Sequence, residues 1–347
     1  MKRKVGFEYL RILSMLFIIG NHFWLFMGIL DKTEPFTLNF YVVWLLQAIG
    51  SLGTNCYVLI SGYFGVESTV GWKKVGRLYG AVLFYSITLY FIAANIGGVF
   101  SLGELAKSLL PFSTRRYWFI TDYIGLYILS PFINALCKNL DKKQFQKFIL
   151  VGLLLFSILD ILPGEGLNGQ KGYSLYWLIC VYSIGAYIRL HGLNISRKQC
   201  CINGILSIVF IYLSKIVITF LAEKVSLSFM PYSTIFYTHS SIFVLGGAVF
   251  LFMLLKDIRN TDGIIEKIVL KVSPLTFGVY LIHMNPSLAA VLWGKLKQVI
   301  DINSTTVVFW FVVTTILIYI SCTVIDGIRH FFVCQINNRL KLRKNNV

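Results

Sequence analysis

Apolar runs about as long as a bilayer is thick recur along this chain, and they constrain its fold more than any motif. A hydrocarbon core about 30 Å thick takes roughly 20 apolar residues to cross as a helix. Runs of that order lie at about 7–29, 40–64, 78–99, 118–136, 148–163, 173–190, 201–221, 235–255, 273–293 and 305–327. Inside lipid the backbone polar groups must be satisfied within a helix or a closed barrel. The runs lack the alternating pattern of barrel strands. An all-α, polytopic integral membrane protein with about ten transmembrane helices is therefore expected. The fifth run is short, ends at Pro163–Gly164, and reads as tilted, broken or partly re-entrant.

Charge sets the orientation. Only 14% of residues are charged, against about 25% in soluble domains, and mean hydropathy is +0.72. A net charge of +17 would suggest nucleic acid in a soluble chain. Here the basic residues crowd alternate short loops, as the positive-inside rule requires. With the N-terminus inside, the groups Lys2 to Lys4, Lys73 to Arg77, Lys138 to Lys147, Arg189 to Lys198, Lys256 to Lys271 and the tail from Arg329 all fall in the cytoplasm. They hold most of the 32 Lys and Arg. Both termini are thus expected in the cytoplasm of a multi-pass cell-membrane protein, with no nucleic-acid partner. The basic start lacks a small-residue cleavage site after its apolar run and reads as a retained first span. The reading is one membrane domain over 1–347, its last residues from about 328 forming a basic tail suited to anionic lipid. The seven cysteines form no C-x-x-C pair and read as small apolar residues.

The first run carries Arg11 and His22. Eleven residues turn a helix by about 1100°, about 20° past three full turns, so both side chains leave one face, about 16 Å apart along the axis. Ionisable groups are costly in a bilayer and point to function. The helix is expected to line a site reached from the cytoplasm, with Arg11 near its mouth and His22 deep inside. A snorkelling Arg11 paired with Glu8 is the competing reading. His239 and His283 lie in later runs, and either could face the same cavity as His22, although lone histidines there more commonly serve as structural hydrogen-bonders. No H-E-x-x-H or H-x-x-H occurs, so no metal site is expected. The outer stretch 101–118 ends in Arg115, Arg116, Tyr117 and Trp118. It reads either as an interfacial anchor or as a place to hold a sugar or an anionic group.

Four stretches together resemble the membrane acyltransferase-3 family, the multi-pass O-acyltransferases of cell-surface glycans. They are Arg11-x10-His22; Ile60-Ser61-Gly62-Tyr63-Phe64 followed by the basic Lys73-Lys74-Val75-Gly76-Arg77; Tyr117-Trp118-Phe119 with Tyr123 and the run from Leu126 to Asn134; and Phe277-Gly278-Val279-Tyr280 with His283. They run in family order over nearly the whole chain. Lys74-x-x-Arg77 stands where the family often has R-x-x-R. No appended hydrolase-like domain is expected, so the chain resembles the membrane-only subgroup.

The resemblance implies transfer of an acyl group, usually acetyl, from cytoplasmic acyl-CoA to a sugar hydroxyl. Acetyl-CoA is then a donor substrate rather than a resident cofactor. His22 is expected to act as base or as a transient acyl carrier. Arg11, which stays protonated, is expected to bind the CoA phosphates or the thioester carbonyl. Lys74 and Arg77 join it on the donor, and Arg115, Arg116, Trp118, Asp122, Tyr123 and His283 are candidates for the acceptor. The other reading is a transporter or exporter of a glycan or lipid-linked precursor, since intramembrane charges also mark transport paths. The acceptor, the choice of acetyl over succinyl and the oligomeric state are not legible in the sequence.

Overall fold

A computed structural model describes residues 3–69, 71–97, 100–161, 170–301 and 306–345, the last helix by its backbone alone from 337. The described chain is helical, with no strand among the described residues. Its helices are α1 (Val5–Met27), α2 (Leu38–Gly50), α3 (Gly53–Gly65), α4 (Trp72–Gly97), α5 (Leu102–Leu109), α6 (Trp118–Asn139) and α7 (Lys142–Leu153). They continue as α8 (Leu175–His191), α9 (Arg197–Lys224), α10 (Ile242–Leu255), α11 (Ile264–Val272), α12 (Thr276–His283), α13 (Pro286–Val299) and α14 (Val307–Asn345).

Local signals fix the starts. In both α7 and α9 a capping box opens the helix, Asp141 with Gln144 and Ser196 with Gln199. Each side-chain oxygen satisfies a backbone N–H that has no intrahelical acceptor.

Among the described residues eight helical spans are long and apolar enough to cross a membrane, or nine if the bent pair Ile264–His283 and Pro286–Val299 is one span. Each of the ten expected runs falls on a helix or a bent helix pair, and the length and apolarity test passes eight or nine of them. The run expected over 173–190 forms α8, which has 17 residues and so rises only about 26 Å. It is buried along most of its length, so it lies among other helices rather than against lipid. The break foreseen at Pro163–Gly164 lies outside the described residues. A break does occur in the ninth run, where α12 and α13 meet at 78°. Pro286 cannot donate to a continuing helix, and Asn285 caps α13 by accepting from the Ser287 and Leu288 N–H groups.

Two apolar clusters form the interior. One is centred on α3, α8 and α10, the other on α1, α4, α12 and α13. Helix α1 joins them: Phe7 and Leu10 belong to the first, Met15 to Met27 to the second. Among the described helices, α8 and α3 share the most extensive packing. Gly62 and Gly185 permit this, because each backbone meets the other helix where a Cβ would lie, against Tyr182 O and Leu59 O. Small residues at helix crossings serve this purpose in membranes, where apolar burial alone does not drive helices together.

Candidate active site

A cavity of about 690 Å3 opens at one end of the bundle. Helix α1 supplies Glu8, Arg11, Met15 and Ile18 to its wall, one stripe at helical spacing. Other helix ends add Lys74, Arg189, Tyr57, Ser61 and Tyr123, and Arg3 and Lys4 stand at the chain start. Five cations thus face two carboxylates, Glu8 and Glu67. Both carboxylates are engaged by arginines, so the cavity is net positive. Arg11 Nη1 donates to Glu8 Oε1 and Oε2 at 2.7 and 2.8 Å. Ser273 Oγ donates to Glu8 Oε2 at 2.6 Å. At the mouth Arg189 donates to Glu67 and holds that carboxyl below the usual carboxylate range. Lys74 lies over the Tyr127 ring at 4.7 Å.

His22 is one turn beyond Ile18 on the same stripe, past the innermost α1 residue of the wall. There the fold brings it to His283. His22 Nδ1 is 3.1 Å from His283 Nε2, and His283 Nδ1 is 2.7 Å from Val279 O. A carbonyl oxygen only accepts, so His283 Nδ1 carries hydrogen. In a neutral ring its Nε2 then holds the lone pair. His22 Nδ1–H donates into that lone pair, which leaves His22 Nε2 as the basic nitrogen. The arrangement has the logic of a base oriented by a third group. His22 is partly exposed while His283 is buried. Tyr280, also on the cavity wall, has its ring 5.9 Å from that of His283.

The expected site residues divide among three places. Arg11 and Lys74 line the cavity. Arg77 does not; its Nε donates to Lys73 O on the helix surface. Tyr123, grouped by sequence with the acceptor side, lines the same cavity as Arg11, its hydroxyl 3.2 Å from Ser61 Oγ. His283 meets His22, one of the placements that the sequence left open.

At the other end, Arg115 donates to Asp122 Oδ2 at 2.8 Å, to Tyr173 O at 2.6 Å and to Gln170 Oε1 at 3.1 Å. Trp118 packs on Tyr173 and His239, with ring centroids 4.6 and 5.8 Å away. Arg116 is buried and tied to Glu104 and to Ser287 Oγ, so it works as a strap.

Glu104 accepts from Lys107 at 2.8 Å and from Arg116 at 3.1 Å. Lys107, then Arg116, hold its carboxyl below the usual carboxylate range. A carboxyl lowered by folding stabilises above its unfolded value, and the gain is lost as pH falls through the folded value. Screened by solvent, the effect is expected to stay under about 1 kcal/mol. Glu104→Gln should therefore lower thermal stability slightly at neutral pH, and the gap from wild type should close on acidification in detergent-solubilised protein.

Sequence reading missed Arg189, Tyr57, Ser61 and Ser273 as cavity residues. Arg189 looked like one more cytoplasmic cation. Its signal was its place in the last turn of a helix packed on the Ile60–Phe64 segment. His239 had no motif to separate it from a structural histidine.

The fold and this site define a polytopic membrane enzyme with a cationic cavity beneath a histidine pair. The acyltransferase-3 family model, described as an acyltransferase domain, matches residues 4–326. The chain belongs to that family and is a membrane acyltransferase. No curated protein and no solved structure matches it. Family membership sets the transporter reading aside.

Proposed function

We propose that this acyltransferase is an O-acetyltransferase of the cell membrane, moving acetyl from cytoplasmic acetyl-CoA to a hydroxyl of a cell-surface or lipid-linked glycan. The supporting observation is the net-positive cavity whose α1 wall ends one helical turn short of His22. Its volume falls in the range of small-molecule sites, and its cations suit the phosphates of CoA. Both termini and the cavity mouth then lie in the cytoplasm, and the loop carrying Arg115, Trp118 and Asp122 faces outward to receive the sugar.

In this reading Arg11, Lys74 and Arg189 hold the donor with its thioester toward His22. His22 Nε2 takes the proton of the sugar hydroxyl as the oxygen attacks the acetyl carbon. The new C–O bond forms, the C–S bond breaks, and the proton passes to the departing CoA thiolate. A two-step course, with acetyl first on His22 Nε2, uses the same atoms.

Purified protein in liposomes with labelled acetyl-CoA is expected to release CoA and to add one acetyl mass unit to an accepted glycan. Arg189→Ala is expected to raise the KM for acetyl-CoA several-fold with kcat little changed, the mark of lost ground-state binding. Absence of any CoA release from acetyl-CoA would overturn the donor assignment. An unchanged mass across the surface glycans of cells with and without the protein would overturn the acceptor class.

A further inference from the structure

A second cavity, of about 470 Å3, lies away from the first, between α7, α8 and α10. Helix α8 packs against α7 and forms the floor of a slot with α7 and α10 as its walls. The walls are almost wholly apolar, with Ile149, Leu153, Ile184 and Val249 among them. Helix α7 belongs to the least buried of the candidate spans, so the slot opens toward lipid. Along α7 it runs from Gln146 to Leu153, about 10 Å. That is room for the upper part of one acyl chain and too little for a whole lipid.

The mouth of the slot is basic. The α7 residues in its wall are Gln146, Ile149, Leu150 and Leu153. Continuing the same helical face back one turn reaches Lys142 and Lys143, both exposed. Leu193 closes the slot at this end, and Arg197 and Lys198 begin α9 just beyond it. Gln146 Nε2 donates to Tyr187 Oη at 2.8 Å, the one polar pair where the apolar wall meets the basic rim. Phe145 packs on His191 with ring centroids 5.9 Å apart, so this rim is at the same end of the bundle as Arg189 and the first cavity.

We propose that the slot holds an acyl chain of an anionic phospholipid whose phosphate rests on Lys142 and Lys143. An apolar slot facing the bilayer selects a hydrocarbon chain, and cations one turn above it select the headgroup charge. The proposal stands independently of the acetyl-transfer reading.

Gly246 supplies the steric test. A Cβ there would meet only Ser207 Oγ at 3.4 Å and the Phe250 ring at 3.8 Å, ordinary contacts. Gly246 also lines the slot, so Gly246→Leu is the substitution expected to place bulk there. Native mass spectrometry of the detergent-purified chain with added phosphatidylglycerol is expected to show one tightly retained lipid. Lys142→Glu with Lys143→Glu should cut its occupancy at least about tenfold, and Gly246→Leu should do the same at unchanged headgroup charge. Phosphatidylcholine should be retained far less. Equal retention of phosphatidylcholine overturns the proposal. So does phosphatidylglycerol retention unaffected by either variant, or preferential retention of a polyprenyl phosphate. The lysines are exposed, so their reversal tests the headgroup even if Gly246→Leu folds poorly.

Discussion

Replacing His22 with alanine is expected to cut acyl transfer by roughly 10²–10⁴-fold, the span usual for loss of a positioned general base. The geometry puts His22 Nε2 at the free end of a hydrogen-bonded chain that begins at Val279 O and passes through both histidines. Removing His22 removes the basic atom. Removing His283 leaves that atom and takes away what fixes its tautomer. His283→Ala is therefore expected to lower kcat less than His22→Ala does and to alter the pH profile, which loss of mere packing would not. The measurement is CoA release and acyl transfer by purified variants in liposomes, each first shown by size-exclusion chromatography to be as monodisperse as wild type. Normal transfer by a well-folded His22→Ala variant would remove the pair from the chemistry.

Gly62→Ala is expected to be among the most damaging single-methyl changes in the interior. Its Cβ would overlap Tyr182 O, a backbone atom that cannot swing aside. Overpacking a tight interior costs about 1–3 kcal/mol, and here the α3–α8 crossing must also separate. Gly80→Ala is the internal control, since nothing lies within 4 Å of its Cβ and alanine is the better helix former. Thermal unfolding in detergent should show Gly62→Ala several degrees or more below wild type and Gly80→Ala level with it or slightly above. Equal stability of the two variants would mean that α3 and α8 are not locked at Gly62.

The class of fold was legible because lipid leaves few solutions. Ten apolar runs led to ten helical regions, although the one at 173–190 is too short for the length test. The shared face of Arg11 and His22 was legible too, since helical periodicity alone carries it. What sequence could not provide is what lies opposite that face. His283 is 261 positions away, and no local pattern says that its Nε2 meets His22 rather than a sugar. Tyr123 and Asp122 are neighbours in sequence but about 100° apart on a helix. One therefore lines the cavity that holds Arg11 while the other pairs with Arg115. The 78° bend was hidden as well, because Asn285–Pro286 marks a helix start as readily as a mere interruption.

That bend ties the loop carrying Arg116 and Tyr117 to the histidine pair by a short chain of contacts. Asn285 Nδ2 donates to Tyr117 Oη at 2.8 Å, and Ser287 Oγ accepts from Arg116 at 2.6 Å. Two consecutive loop residues thus grip the start of α13, and only Met284 separates Asn285 from His283. A single residue therefore stands between the loop's anchor and the ring that meets His22. Asn285 is the shared fastening of the loop, the start of α13 and the end of the helix that carries His283.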